Sequence, residues 1–430
     1  MTGRLPVHFT RSAAACRLQT PGSAGETCRL AFTPKLQLTS LTLTAFRNHA
    51  STRVEPGAAL IALCGHNGAG KTNVLEAISL LMPGRGLRGA PYEDLVCAST
   101  AADRGWAVSA VVENDGLETR IGTGFEPRPA VDGELAPVGG ASREVRIEGQ
   151  AQRSAGALAG HVRMLWLTPA MDRLFAGPAS DRRRYLDRLA AVFDAGHGTR
   201  VNALERLLRE RNRLLSEDRP QARWLDSVEA QLAEAAVAVA AARNSAMAIV
   251  AGFVAEGRDA PRSSAFPWAE VTVDGELERQ LIERPAVQIE DEYRTLLADS
   301  RGLDRAAGRT LRGPHRSDLL VVHGPRAMEA RLCSTGEQKA LLLGLVLAQA
   351  RAVRDTFSGA APLLLLDEVA AHLDAVRRGA LMNELLELGS QTWMTGTDRH
   401  LFEAASGEIE VFEVADGRVS PSVRQEQETA

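Results

Sequence analysis

The sequence predicts an α/β protein: a head built on a mixed sheet, interrupted by a mainly helical insertion. Three observations carry that reading. A glycine-rich loop, "CGHNGAGKTN" from Cys64 to Asn73, lies between the apolar run "ALIAL" and the helix-period run "VLEAISLL". Far downstream, the four leucines Leu363 to Leu366 end in an acidic pair, as a strand buried on both faces of a parallel sheet does. Between them, from about residue 201 to 256, apolar residues recur at helical spacing.

The chain has 430 residues, a formal net charge of −4 and 4% aromatics, which is length for two or three domains and an ordinary globular composition. A polyanion would have to meet a local basic patch, since no whole-chain excess exists. No run of about eighteen apolar residues is free of charges and turn formers, so no membrane span is expected. The five cysteines are scattered and never spaced CxxC. They read as free thiols of a reducing, cytoplasmic compartment, without a disulfide frame or zinc site. Residues 1–35 carry several arginines and no apolar core, and are read as a tail, disordered or translated from an over-extended start. The expected organisation is then a first head segment over 36–160, a helical lid over 161–304, and a second head segment over 305–425.

The first head segment contains the phosphate loop. Gly65, His66, Asn67, Gly68, Ala69, Gly70, Lys71 and Thr72 fit G-x-x-x-x-G-K-[ST] between a strand and a helix. Such a loop turns successive backbone N–H groups around phosphate oxygens, and the helix points its partial positive end at the same anion. Lys71 is expected to reach the β and γ phosphates, and Thr72 to hold Mg²⁺ through its hydroxyl. Lysine occurs only at 35, 71 and 339; a compact ammonium kept at 71 in an arginine-rich chain points to function. His66 is expected to matter through its backbone.

The second head segment contains "APLLLLDEVAAHLD". Asp367 and Glu368 sit at the carboxyl end of the leucine strand, where ligands of parallel sheets gather. Asp367 is expected to bind Mg²⁺ and Glu368 to polarise the attacking water. Just upstream, Ser334, Thr335 and Gly336 open a long apolar helix, either an anion-seeking terminus or an N-capped core helix.

The order of these elements resembles the ATP-binding-cassette ATPase head. Cys333 to Glu337, "CSTGE", is similar to that family's signature, with Cys333 and Thr335 departing from it, and Asp374 of "HLD" to its D-loop. The resemblance implies that Ser334, Thr335, Gly336 and Glu337 of one copy complete the ATP site of another, hence an ATP-dependent homodimer. A transporter cassette is disfavoured by the roughly 260 residues between Thr72 and Ser334. It is also disfavoured by "TWMTGTDRH", which puts Thr395, Thr397 and Asp398 where a switch histidine would stand; Thr397 and Asp398 are assigned as the switch. The helical stripes Leu204, Leu207, Leu208, Leu214, Leu215 and Leu225, Val228, Leu232, Ala235, Val239, Ala242 suit an antiparallel pair, too short for a long coiled-coil arm.

Five ordered segments resemble the RecF family. They are "LTSLTLTAFRNHAS" with Phe46, Arg47 and Asn48, then "GRGLRGAPYEDLV", then "LTPAMDRLFAGPASDRRRYLDRL", then "TLRGPHRSDL" and "STGEQKALLLGLVLAQA". Thr168 and Met171 depart from that family's usual Ser and Glu. The resemblance implies a slow, DNA-stimulated ATPase with Arg47 and Asn48 at the nucleotide. It also implies binding to duplex DNA, gaps or single-strand/double-strand junctions. By the same resemblance the partners are RecO, RecR and RecA, in recombinase loading, DNA repair, replication restart and SOS induction. Arg182, Arg183, Arg184 and Arg88 are the first candidates for DNA phosphate. Arg206, Arg209, Arg211 and Arg213 on the next helix follow, with Arg85 and the loop residues Arg312, His315 and Arg316. The competing reading is a solvated, salt-bridged face, with Asp181, Asp187, Glu205 and Glu210 in reach. The alternative functions are a non-hydrolysing scaffold assembled by nucleotide, and a transporter cassette subunit.

Overall fold

Four strands are buried at every position: Leu60–Cys64, Thr392–Gly396, Leu363–Leu366 and Met164–Leu167. In the computed structural model they lie side by side in a six-stranded sheet. Its order is Arg418–Pro421, Ile409–Ala415, Leu60–Cys64, Thr392–Gly396, Leu363–Leu366, Met164–Leu167. The five strands from Ile409–Ala415 onward are parallel and only the terminal pairing is antiparallel. Burial on both faces is why Leu60–Cys64, Leu363–Leu366 and Met164–Leu167 are unbroken apolar runs in the sequence. The structure describes residues 34–98, 105–126, 143–218, 221–259, 265–405 and 408–422, so the reading of 1–35 as a tail falls almost wholly outside them.

A second, wholly antiparallel sheet has the order His49–Val54, Leu36–Phe46, Trp106–Asn114, Leu117–Phe125, Glu144–Ile147, Gln150–Ala151. The antiparallel part of the mixed sheet expected of the head is thus a separate sheet. The P-loop helix, Lys71–Ser79, packs against both sheets through Leu36–Phe46 and Thr392–Gly396. Helix Thr335–Thr356 covers the Met164–Leu167 side of the parallel sheet.

The insertion holds helices Ala179–Phe193, His197–Ser216, Ala222–Asp259, Glu276–Glu283, Ala286–Asp299 and Arg301–Ala307. It also holds a small sheet ordered Met328–Glu329, Asp318–His323, Ala269–Asp274. Two expected boundaries move. Met164–Leu167 pairs with Leu363–Leu366, so the head extends past 161. Asp318–His323 pairs with Ala269–Asp274, so the insertion does not end at 304. Both errors have one cause, strand pairing between residues distant in sequence.

Two separate apolar cores result. The insertion's core gathers Leu204, Leu207, Leu232, Val239, Ile289 and Leu297; the head's gathers both sheets and their helices. The 38-residue helix Ala222–Asp259 serves both, since Leu225 to Ala240 lie in the first and Ala246 to Val254 in the second. Its segment Ala222–Ala255 is long and apolar enough to cross a membrane by length and composition; here it is packed against the flanking helices of the insertion. Arg211, one of the candidate phosphate contacts, is instead 0% exposed. It bonds Glu229 at 2.9 Å, Asp304 at 2.7 Å, Thr310 at 2.8 Å and the Leu297 carbonyl oxygen at 2.7 Å. Charge alone put Arg211 among the candidate phosphate contacts, but it stands on the buried stripe of Leu204, Leu207, Leu208, Leu214 and Leu215 and turns inward to buried acids.

Candidate functional site

Gly70, the residue before Lys71, has φ 111°, a conformation that L side chains rarely adopt. A Cβ there would collide with the Asn48 side chain, so the loop closes on the Arg47–Asn48 turn only as glycine. Asn48 Nδ2 donates to the Ala69 carbonyl oxygen at 2.9 Å, and its Oδ1 accepts from Asn73 at 2.7 Å. Arg47 forks onto Glu76 at 2.9 and 3.0 Å. Glu76 is itself 0% exposed. These contacts make Arg47 and Asn48 braces of the loop. His66 is exposed, with its Nδ1 2.9 Å from the Asn67 carbonyl oxygen.

Lys71 Nζ donates to the carbonyl oxygens of Gly65 at 2.7 Å and His66 at 2.9 Å. Neutral acceptors hold the ammonium at the loop, where an anionic oxygen would bind it more strongly. Thr72 Oγ1 donates to Asp367 Oδ1 at 2.9 Å across 295 positions of sequence. Thr395 Oγ1 donates to the same oxygen at 2.8 Å and accepts from the Glu368 N–H at 2.8 Å. Burial pushes the Asp367 carboxyl up, the two hydroxyl donors pull it back, and the neighbouring Glu368 adds to the rise. A buried carboxylate of this kind is relieved by a cation.

Among the described residues, no group of three His, Cys, Asp or Glu could hold a metal by itself. One hydroxyl and one buried carboxylate nevertheless fit Mg²⁺, a hard cation that would take these oxygen donors together with substrate phosphate. Glu368 has φ 56°, a left-handed backbone costing about 1–3 kcal/mol in a non-glycine residue and typical of active sites. Thr395 is what anchors that turn. Among the described residues, no hydrogen bond or ion pair engages the Glu368 carboxylate.

The signature lies on a different surface feature. Ser334 caps helix Thr335–Thr356 with a complete capping box: its hydroxyl accepts from the Glu337 N–H, and Glu337 Oε2 accepts from the Ser334 N–H at 2.9 Å. The Ser334 N–H and hydroxyl hold the Glu337 carboxyl below its usual range. Ser334, Thr335 and Gly336 are exposed. Asp374 caps the helix Ala375–Leu388, accepting from the Arg377 N–H at 2.8 Å. Thr397 and Asp398 are exposed, and Asp398 accepts from the His400 N–H at 3.0 Å. Of the threonines in this segment, Thr395 is the one that reaches Asp367.

The family model described as the RecF/RecN/SMC N terminal domain matches residues 37–420. A protein of Mesorhizobium japonicum named DNA replication and repair protein RecF is 48% identical over 385 residues, covering 90% of this chain and 98% of the relative. The chain belongs to the RecF family. A RecF of Brucella suis biovar 1 is 46% identical over 387 residues, with 90% and 96% coverage. The structure described as the recombination mediator protein RecF-ATPrS in the RecFOR pathway superposes with a TM-score of 0.77 at 24% identity, over 91% of this chain and all of that one. That likeness shows the fold.

Within this RecF-family chain the arginines proposed for DNA divide. Arg182 forks onto Asp318 at 2.7 Å through each of two N–H groups and also donates to the Gly177 carbonyl oxygen. Arg183 donates to the Ser317 carbonyl oxygen at 2.9 Å. Both fasten helix Ala179–Phe193 to the strand Asp318–His323 and its approach. Arg88 bonds Asn73 at 2.9 Å and Glu76 at 3.3 Å and stands beside Thr72 in one cleft. Arg184 has an exposed side chain and pairs with Asp181 at 3.2 Å. Arg209 and Arg213 are exposed and paired with Glu205 and Glu217.

Glu76 and His49 are site residues that sequence reasoning passed over, and Thr395 is one that it named but did not assign. His49, 0% exposed, lies 2.8 Å from the Gly417 carbonyl oxygen and 3.3 Å from that of Gly70, tying the P-loop to the turn of the C-terminal hairpin. Thr395 had a usable signal. It lies next to the last residue, Gly396, of a strand buried at every position, at the end where parallel sheets bind ligands.

Proposed function

We propose that this chain is an ATP-dependent DNA-binding clamp: it binds and slowly hydrolyses ATP with Mg²⁺, dimerises on ATP, and acts in DNA repair with RecO-, RecR- and RecA-type partners in the cytoplasm. The observation that carries the ATP reading is the Thr72–Asp367 hydrogen bond. It joins the two chain segments that a nucleoside triphosphate and its cation need together. The name DNA replication and repair protein borne by the relatives supports the repair role. A second solved structure, described as RecF-ATP in the RecFOR pathway, has 23% identity and a TM-score of 0.75, and supports the nucleotide and the partners.

In this reading the P-loop N–H groups and Lys71 hold the triphosphate, and Thr72 and Asp367 hold the cation. That cation would neutralise charge developing on the terminal phosphate. Glu368, with its backbone pinned by Thr395, takes a proton from the attacking water. Ser334 and Gly336 of a second copy cap the same nucleotide, and closure brings two insertions together. DNA phosphates would meet exposed arginines such as Arg184, Arg206 and Arg209, so binding should be sequence-independent and strongly salt-dependent. Sedimentation tests the whole reading. Wild type with ATP should reach dimer mass and shift further with gapped duplex. Glu368→Gln should stay dimeric after wild type has hydrolysed its ATP. A Glu368→Gln chain that stays monomeric under saturating ATP would refute the clamp.

A further inference from the structure

Helix Ala179–Phe193 leads from the head into the insertion, and most of its polar side chains facing protein have partners. Arg182 takes Asp318. Tyr185 takes Gln349 of the helix that begins at the signature. Asp187 accepts from Arg243 of the long helix at 2.8 and 2.9 Å, and bonds His197 at 2.9 Å. Arg188 is the exception.

Its guanidinium lies over the Trp166 ring at 4.6 Å and near the Tyr185 ring at 5.5 Å, with Nη2 3.5 Å from Met171 Sδ. No carboxylate among the described residues stands within ion-pair distance of it. Two aromatic faces and a thioether stabilise the charge but leave most of five N–H donors without a strong acceptor. Burial pulls its pKa down to about 10, so it is still a cation at neutral pH. A charge kept there without an anion is costly.

Arg188 opens onto the candidate nucleotide site. It lines a cleft of about 610 Å³ whose other lining residues include Thr72, Asp367, Glu368 and Arg88. The hydroxyl and carboxylate that would hold the cation, and the carboxylate that would face the attacking water, therefore share one space with an unpaired guanidinium.

We propose that Arg188 contacts the terminal phosphate of a nucleoside triphosphate held by the same chain, so that helix Ala179–Phe193 transmits the presence of that phosphate to the insertion. The inference rests on the P-loop reading. It adds a cation from the root of the insertion, in the same chain as the P-loop. Because Arg182, Tyr185 and Asp187 lie on the same helix, a shift of Arg188 toward the phosphate would be felt by the small sheet, the signature helix and the long helix together.

The test is calorimetric titration of the full chain with Mg-ATP and Mg-ADP in a Glu368→Gln background, with and without Arg188→Met and Arg188→Lys. Arg188→Met should weaken ATP binding at least tenfold while ADP affinity stays within twofold, and Arg188→Lys should recover part of the loss. Trp166 emission should change on ATP but not on ADP, and the change should vanish in Arg188→Met. Equal losses for both nucleotides, or no loss for either, would overturn the proposal. A melting temperature that falls in Arg188→Met together with both affinities would overturn it too, making Arg188 a packing residue only. A Glu368→Gln parent that binds neither nucleotide sinks the P-loop reading and this inference together. A parent that binds ATP, with Arg188→Met binding it equally well, sinks this inference alone.

Discussion

The two halves of the candidate ATP site differ in how complete they are within one chain. On the P-loop side Lys71 is held within the loop by Gly65 and His66, but the other polar groups take partners from elsewhere in the fold: Thr72 and Thr395 on Asp367, Asn48 on Ala69, Arg47 on Glu76. On the signature side the partners are local. Ser334 and Glu337 satisfy each other, Arg326 reaches Glu337 at 2.5 Å, and Asp374 caps the helix it precedes. Exposed apolar residues flank both motifs there, Leu332 at 62% and Val376 at 80% exposure. One half is assembled by folding, whereas the other, among the described residues, is a surface whose named bonds all join residues near in sequence. That asymmetry is what a site completed by a second copy requires.

Three substitutions probe this contrast. The largest effect is expected from Lys71→Met, which removes a charge from the assembled half. ATP affinity should fall about a hundredfold or more by titration, as loss of charge-assisted bonds of about 1.5–3 kcal/mol each implies. ATP-dependent dimerisation should vanish with it. Ser334→Arg addresses the other half. Its ATP affinity as a monomer should stay within about threefold of wild type, while the dimer seen by sedimentation weakens at least about tenfold through a like charge and bulk at the contact. If Ser334→Arg lost nucleotide binding and dimerisation equally, the two halves would not be separable.

The smallest effect is on stability. Asp367→Asn keeps an oxygen that can accept from Thr72 and Thr395 but removes a carboxylate whose pKa is raised by burial. A raised folded-state pKa means that the folded chain holds its proton after the unfolded chain has lost it, so wild-type stability falls as pH climbs from the ordinary carboxylate range through the raised value. Asp367→Asn should therefore match wild type in acid and exceed it at neutral pH by about 0.5–2 kcal/mol in denaturant melts, as relief of active-site strain does. Mg-dependent nucleotide binding should be lost alongside.

Much of the assembled half was legible because its chemistry is local. A P-loop is eight consecutive residues, and "LLLLDE" announces both a buried strand and the acids at its end. The remainder depends on register. Leu366 pairs with Met394, so Thr395 comes level with Asp367, and no spacing within "TWMTGTDRH" could favour Thr395 over Thr397. The insertion's arginines were misjudged for a related reason. Charge on a helix reports composition, while Arg211 and Arg182 find their acids, Asp304 and Asp318, roughly a hundred residues or more downstream. Arg188 shows the converse, an arginine inside a run of charges that folding leaves without an acid. The domain limits failed where strands from distant segments pair, at Met164–Leu167 and at Asp318–His323.

The long helix Ala222–Asp259 belongs to both apolar cores, and the buried Arg243 fixes it to Asp187, Glu278 and the Pro314 carbonyl oxygen near the passage between them. At 1.5 Å per residue its 38 residues span about 57 Å. A rod of that length behaves as a lever: a tilt of about 10° at the end seated in the head would sweep the far tip through about 10 Å. Motions too small to disturb the phosphate cradle would thereby become the difference between an open and a closed grip.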